Sequence, residues 1–278
     1  MKGLNNIGNT CYLNAALQML LLNTDFCNLI LKYNGGSSEI LNTLSNFIIN
    51  YYVNDNTKSL NPEVIKNIMK DRNEMFNGHQ QQDSCEFIIF LFDIINNEIT
   101  KINSNYNLYN IYGFKLDSRI KCKINTCLHR NEMSANELIL LLDVCPTLEE
   151  SVNSFKSREL ISNEYKCDKC HIKLLASKRL NISKYSNNLL ICFKRFKYNN
   201  GSYEKITDNI EIPLIFNNYI LLGAIIHSGS YSGGHYIYIG TIKNKWYMFN
   251  DNYISELKTD VRMELLNAYC LYYKMNPV

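Results

Sequence analysis

The sequence lacks an apolar run long enough to cross a bilayer, which takes about 20 residues; stretches such as YILLGAII fall far short. It has only 4 Pro and no repeat, low-complexity tract or Gly/Ser-rich linker, so a single compact unit is expected. No basic segment followed by an apolar run and a small-residue cleavage site opens the chain, and a secretory leader is therefore not expected. Neither sign of charge dominates: 29 Lys and Arg stand against 26 Asp and Glu, for a net charge of +3 spread along the chain. Such a balance disfavours electrostatic binding to nucleic acid or to a membrane surface. Nor is the chain poor in apolar residues. At 46% hydrophobic over 278 residues it can bury a sizeable core and does not read as disordered.

What the chain has in quantity is cysteine, 10 in all. With no leader and at this size they suggest a reducing compartment, where cysteines are buried, metal-bound or catalytic rather than paired in disulfides. An intracellular setting, cytoplasmic or nuclear, is the expectation. A bias towards Asn, Ile, Lys and Tyr suggests an AT-rich genome, so the cell would be a host cell if the source is a virus or parasite.

Periodicity gives an α+β order. Leu13, Leu17, Leu20 and Leu21 form one helical stripe, and Phe87, Phe90, Leu91, Ile94 and Ile95 form another. Asp83 or Ser84 would cap the second helix, with Glu86 in its first turn. Residues 36–76 carry weaker helical signals. From Asn188 the chain reads as consecutive strands: LLICFKRFKY, YILLGAIIHS, HYIYIGTI, KWYMFN and AYCLYYK. A two-residue Lys-Asn link between HYIYIGTI and KWYMFN predicts a tight hairpin. The outline is helices, then a cysteine-bearing insertion, then an antiparallel sheet.

Cys11 sits where a turn rich in Asn and Gly meets the first helix. Free N–H groups at a helix start favour thiolate, the reactive form, although a lone cysteine is more often a packing residue. His235, after a Gly pair and before an alternating strand, is the candidate base. A third group must orient its imidazole. The hairpin would return Asn250, with Asp251 beside it, to the start of the His235 strand. Asn6 alone would read as a turn residue, and Asp83 and Glu86 as helix N-terminal acids. Two cysteine pairs, Cys122 with Cys127 and Cys167 with Cys170, have the spacing of a four-thiolate zinc site. Cys27, Cys85, Cys145, Cys192 and Cys270 lie in or beside apolar runs and read as packing residues, as do Phe193, Phe196 and Trp246.

Several of these segments together resemble the catalytic domain of ubiquitin-specific proteases, a papain-like family of deubiquitinating cysteine proteases. GLNNIGNTCYLNAALQML resembles the family's Cys box, and HSGSYSGGHYIYIG with WYMFND its His box. QQDSCEF, LLICFKRFKY and AYCLYYK resemble further family segments, in family order from about residue 3 to residue 274. The resemblance implies a thumb, fingers and palm architecture, with a helical thumb at about 1–112, zinc-bearing fingers at about 113–187 and a β-rich palm at about 188–278. It implies Cys11 as nucleophile, His235 as base, Asn250 as orienter with Asp251 supporting or sharing that role, and Asn6 as an oxyanion donor.

The resemblance further implies that Asp83 and Glu86 face a basic substrate tail. Gly233 and Gly234, with Tyr236 as a wall, would line a channel for a diglycine. Structural Zn2+ on Cys122, Cys127, Cys167 and Cys170 is implied too. The first pair is wider than the family's usual C-x-x-C, leaving His129 as an alternative ligand to Cys122. The implied partners are ubiquitin, polyubiquitin and ubiquitinated proteins, acted on by a monomer. The rival readings are a hydrolase for another ubiquitin-like modifier and a non-catalytic ubiquitin-binding module.

Overall fold

The stripe of Leu13, Leu17, Leu20 and Leu21 is buried on α1 (Cys11–Leu21), but so is every other residue of that helix. The computed structural model describes residues 1–53, 56–78, 80–102, 105–124, 126–161, 165–173, 175–199, 201–231 and 233–276. A helix enclosed on all sides keeps no polar face in water, and its side-chain amide N–H groups find partners in the protein. Asn14 Nδ2 donates to the carbonyls of Leu4 and Asn5 at 3.3 and 3.2 Å, and Gln18 Nε2 to that of Lys2 at 3.0 Å. These bonds lay the short strand β1 (Gly3–Leu4) along the helix, and β1 in turn pairs in parallel with β2 (Ser59–Leu60).

Around α1 stand α2 (Thr24–Leu31), α3 (Glu39–Tyr52), α4 (Glu63–Arg72), α5 (Ser84–Lys101) and α6 (Leu108–Ile111). On α5 the expected residues Phe87, Leu91, Ile94 and Ile95 are buried and Phe90 is half-buried. Asp83, rather than Ser84, is its cap: the carboxylate accepts from the N–H groups of Cys85 and Glu86 at 2.7 and 3.0 Å. Among the described residues no helix is long and apolar enough to cross a membrane.

Two sheets follow. In chain order come β3 (Phe114–Cys122), β4 (Arg130–Glu137), β5 (Ile139–Leu142), α7 (Leu148–Lys156), β6 (Arg158–Ile161) and β7 (Ala176–Lys184). Strands β4, β3, β7 and β6, in that spatial order, form an antiparallel sheet. Nearly all of β4 and β6 is exposed, so this sheet has little hydrophobic cover. β5 leaves it and joins the larger sheet.

The larger sheet is completed by β8 (Asn188–Phe193), β11 (Ile215–Phe216), β12 (Tyr219–Gly229), β13 (Gly234–Ile242), β14 (Lys245–Asn250), β15 (Tyr253–Glu256) and β16 (Ala268–Met275). The hairpin of β9 (Phe196–Asn199) and β10 (Ser202–Lys205) stands apart, and α8 (Val261–Leu265) precedes β16. The spatial order is β15-β14-β13-β12-β16-β8-β5, with β11 on β12. Only the β5–β8 pair among these is parallel.

Alternation along β8 sends Leu190 and Cys192 to the helical side, while Leu189, Ile191 and Phe193 pack on the opposite side with residues of α7 and α8. Both faces are covered, which is why strands such as LLICF read as unbroken apolar runs. The β13–β14 turn places Lys243 and Asn244 at φ 49 and 64, the left-handed pair that a two-residue hairpin requires.

Arg195, just past β8, is only 1% exposed, and its guanidinium donates to the carbonyls of Ala268, Ile206, Asp208 and Leu266 at 2.8–3.3 Å. Among the described residues no carboxylate shares these bonds; the charge is held by carbonyl dipoles. Lys at this position cannot reach all four carbonyls from one ammonium. Arg195→Lys is therefore expected to lower stability by about 2–4 kcal/mol, read as a lower urea midpoint. An unchanged midpoint would refute this account.

Candidate active site

The turn before α1 is left-handed at Gly8 and Asn9, with φ 110 and 52, which suits the Gly-Asn pair found there. Asn6 Oδ1 accepts from the N–H groups of Gly8 and Thr10, both at 3.2 Å, and so braces the turn. Cys11 is the first residue of α1 and is 3% exposed. Burial raises its thiol pKa, backbone N–H groups of Tyr236, Tyr12 and Cys11 itself act to lower it, and the charge of Asp251 raises it further. The balance is upward.

The Tyr236 amide that acts on this thiol belongs to the residue after His235, and β13 packs against α1, so the strand brings the imidazole to the thiol's neighbourhood. Among the described residues no hydrogen bond joins Cys11 to His235. His235 Nε2 lies 2.7 Å from Asn250 Oδ1. A carboxamide oxygen can only accept, so Nε2 carries the hydrogen and Nδ1 the lone pair. The hairpin accounts for this contact: His235 is near the start of β13 and Asn250 ends β14.

Asp251 does something different from its neighbour. At φ 51 its side chain reaches the loop before α1 and the first turn of that helix. Its Oδ2 accepts from Asn6 Nδ2 at 2.9 Å and its Oδ1 from Asn14 Nδ2 at 2.8 Å, while its own carbonyl accepts from the Leu4 N–H at 2.8 Å. One hydrogen of the Asn6 amide is thereby occupied, and the second remains available as a donor. A Cβ on Gly3 would fall 2.4 Å from the Asn252 carbonyl oxygen, so β1 can approach this loop only with glycine there.

A cleft of about 760 Å³ runs past Gln80–Gln82, Asp83, Cys85, Glu86, His227 and Tyr236. Asp83 is at its wall with both oxygens engaged: one caps α5, and the other accepts from the Tyr269 hydroxyl. Burial pushes the Asp83 carboxyl up, against the pull of Tyr269 and the two amides; burial and then Asp83 push the more exposed Glu86 up. Tyr236 is buried in the core and also faces the cleft, its ring centroid 4.4 Å from that of His227. The two glycines differ. A Cβ on Gly234 would meet the chain's own His227 Nε2 at 2.1 Å, whereas one on Gly233 would have nothing within 4 Å. The crowding at Gly234 is thus internal packing.

Sequence reasoning passed over three residues of this site. Asn14 was visible as a polar residue on an otherwise apolar stretch three positions after Cys11. Gln81 lay within the quoted QQDSCEF segment; its Oε1 accepts from the Gly234 N–H at 2.7 Å and so bridges the cleft. His227 left no signal beyond its place in the His box. It is buried, with a pKa pushed down to about 4 by burial and by the charges of Lys205, His235 and Arg195.

At the far end of the four-stranded sheet, Cys122, Cys127, Cys167 and Cys170 place their sulphurs within 4.8 Å of one another, and His129 is not among them. The two pairs form matching knuckles despite their different spacing. In each, the residue after the second cysteine is left-handed, Leu128 at φ 48 and His171 at φ 58. In each, the first cysteine's N–H bonds the carbonyl two residues past the second: Cys122 to His129 at 2.9 Å and Cys167 to Ile172 at 3.3 Å.

Because burial raises the Cys11 pKa, the thiolate is scarce at neutral pH and grows as pH rises. Alkylation of Cys11 by iodoacetamide, followed by mass spectrometry of its peptide, is expected to quicken about tenfold per unit from roughly pH 7 to 9. A rate already flat below neutrality would mean a preformed thiolate and contradict this.

Comparison with known proteins fits these features into one family. The profile described as ubiquitin carboxyl-terminal hydrolase (UCH) matches residues 2–273. The probable ubiquitin carboxyl-terminal hydrolase 16 of Schizosaccharomyces pombe is 27% identical over 309 residues, covering 98% of this chain and 66% of that protein. Ubiquitin carboxyl-terminal hydrolase 24 of Homo sapiens is 27% identical over 362 residues, covering 98% of this chain and 13% of its own length. The chain thus spans less than two thirds of the length of these relatives. Among solved structures, the SAGA Ubp8/Sgf11/Sus1/Sgf73 DUB module bound to ubiquitin aldehyde matches with a TM-score of 0.85 at 24% identity, over 100% of this chain and 70% of that one. That likeness gives the fold: the helices, the four-stranded sheet and the larger sheet are the thumb, fingers and palm of a ubiquitin-specific protease. With the family profile running from residue 2 to residue 273, the chain belongs to the ubiquitin carboxyl-terminal hydrolase family.

Proposed function

We propose that the chain is a deubiquitinating thiol hydrolase that cleaves the peptide or isopeptide bond after the C-terminal glycine of ubiquitin. The observation that carries this reading is the 2.7 Å contact of His235 Nε2 with Asn250 Oδ1, on the strand whose Tyr236 amide acts on the Cys11 thiol. Family membership supports the reaction class, and the ubiquitin aldehyde held by the Ubp8 module supports the substrate.

In this mechanism His235 Nδ1 takes the Cys11 proton and the sulphur attacks the glycine carbonyl carbon. The carbonyl electron pair moves to oxygen, where the free Asn6 N–H and backbone N–H groups receive it. Losing one such donor typically costs about a hundred- to a thousandfold in rate. Asp251 keeps Asn6 aimed, and Asn250 keeps the imidazole in the right tautomer. Collapse expels the lysine amine, which takes its proton from His235. Water, deprotonated by the same imidazole, then releases ubiquitin as a carboxylate and restores the thiol. Asp83 and Glu86 set an acidic wall beside the cleft that would take the tail.

The four finger sulphurs fit a structural zinc. Cys127 Sγ and Cys167 Sγ are 3.7 Å apart, close to the edge of about 3.8 Å expected for a tetrahedron with Zn–S near 2.3 Å. Four thiolates leave no open position for water, so the ion would supply cross-linking and no chemistry. Cys122, Cys127, Cys167 and Cys170 are its ligands in this reading.

Two measurements test these readings. Ubiquitin with a C-terminal electrophile is expected to form a covalent adduct with the wild-type protein and none with Cys11→Ala. If only a probe built on another Gly-Gly modifier reacts, the substrate is that modifier; if none reacts with folded protein, the hydrolase reading fails. Metal analysis of protein purified without chelator is expected to give about one zinc per chain, largely lost in Cys167→Ser. Equal metal content in both would remove the assignment.

A further inference from the structure

A second group of thiols lies where α5 meets the palm. The sulphurs of Cys85, Cys192 and Cys270 are within 4.8 Å of one another and all three residues are buried, 6%, 2% and 1% exposed. Cys192 and Cys270 face each other across the β8–β16 ladder, with their sulphurs 2.7 Å apart. That spacing separates this cluster from the one in the fingers. Three thiolates on one metal would stand about 4 Å apart at ordinary metal–sulphur lengths, so the 2.7 Å pair is too close for a ligand set. It is within an ångström of the covalent S–S length of about 2.05 Å.

We propose that Cys85, Cys192 and Cys270 form an oxidation site that reacts with hydrogen peroxide and stores the two oxidising equivalents as a Cys192–Cys270 disulfide. Cys85 is the point of entry. It lines the cleft together with Cys192, and the Cys192 and Cys270 thiols beside its sulphur hold its pKa below the ordinary thiol value. Burial holds the other two well above that value, as befits resolving thiols that stay protonated until needed.

The steps balance. The Cys85 thiolate attacks one peroxide oxygen, breaking the O–O bond to give the sulfenic acid and hydroxide. Cys192 gives its proton to that hydroxide, forming water, and its sulphur displaces the sulfenic oxygen as a second hydroxide, forming a Cys85–Cys192 bond. Cys270 gives its proton to this hydroxide, forming a second water, and attacks the Cys192 sulphur. The Cys85 thiolate leaves, ready to react again. Two thiols and one peroxide become one disulfide and two waters, and no charge is left buried between the strands. This chemistry is independent of the hydrolase reading, since it uses none of Cys11, His235 or Asn250.

The site is also well placed to be felt. The Cys85 N–H donates to Asp83 Oδ1 at 2.7 Å, and Tyr269, next to Cys270, donates to the other oxygen of Asp83. The disulfide would form directly beneath the acidic wall of the cleft.

Reduced wild-type protein, exposed to a few equivalents of hydrogen peroxide, would be blocked with N-ethylmaleimide in denaturant, digested and mapped by mass spectrometry. The expected product is a linked peptide pair containing Cys192 and Cys270, lost on treatment with dithiothreitol. Its formation is expected to slow about tenfold or more in Cys85→Ala. Maleimide on both Cys192 and Cys270 after a tenfold excess of peroxide would overturn the proposal, and this wild-type result alone decides the disulfide. An unchanged rate in folded Cys85→Ala would overturn the role of Cys85.

Discussion

The carboxylate of Asp251 fixes the relation between two parts of the chain that must meet within ångströms. It stands at the end of the β14 strand and holds Asn6 and Asn14, one on each side of Cys11 in the sequence. The helix that begins at Cys11, the turn that holds Asn6 and the hairpin bearing His235 and Asn250 are thus referred to one side chain. Neutral partners suffice: the carboxylate accepts from two amides, and charge-assisted bonds of this kind are shorter and stronger than neutral ones. Gly3 shows how tight the arrangement is, since β1 touches the following residue's backbone with no room for a methyl group.

The division of labour between Asn250 and Asp251 follows from backbone geometry. Asn250 is the last strand residue and points across the ladder to the imidazole. Asp251, one position on and left-handed, points elsewhere. Neither residue could replace the other without rebuilding the turn, although both are small, polar and adjacent. The cleft shows a similar economy. Asp83 caps a helix and accepts a tyrosine hydroxyl while forming the wall, so its position is fixed by the fold before any ligand arrives.

Much of this was legible in the sequence, for identifiable reasons. Cys11, His235 and Asn250 each sit at the boundary of an element whose period is clear, and the Lys-Asn link sets the hairpin that joins the last two. The four finger cysteines announce themselves by pairing. What stayed hidden depended on contacts between distant segments. The leucine stripe on α1 gave no hint that the helix is enclosed on every side, because enclosure depends on what covers it. β5 reads like the strands around it, yet its pairing with β8 is decided by the larger sheet. Cys85, Cys192 and Cys270 were each correctly seen as buried, but 107 positions separate the first two and 78 the last two, and no local pattern records that three buried thiols share one spot.

The uncovered state of the finger sheet has a mechanical side. β4 and β6 are exposed along most of their length, so lateral hydrogen bonds do much of the work that a core does elsewhere, and four cysteines gather at one end. Those cysteines are at the tip, opposite the end at which the sheet joins the body. A ribbon fixed at its root and clamped at its tip frays from neither end, whereas one fixed only at its root loses order progressively from the free edge. A clamp at those four sulphurs would therefore set how far the sheet can project from the body and still keep its order.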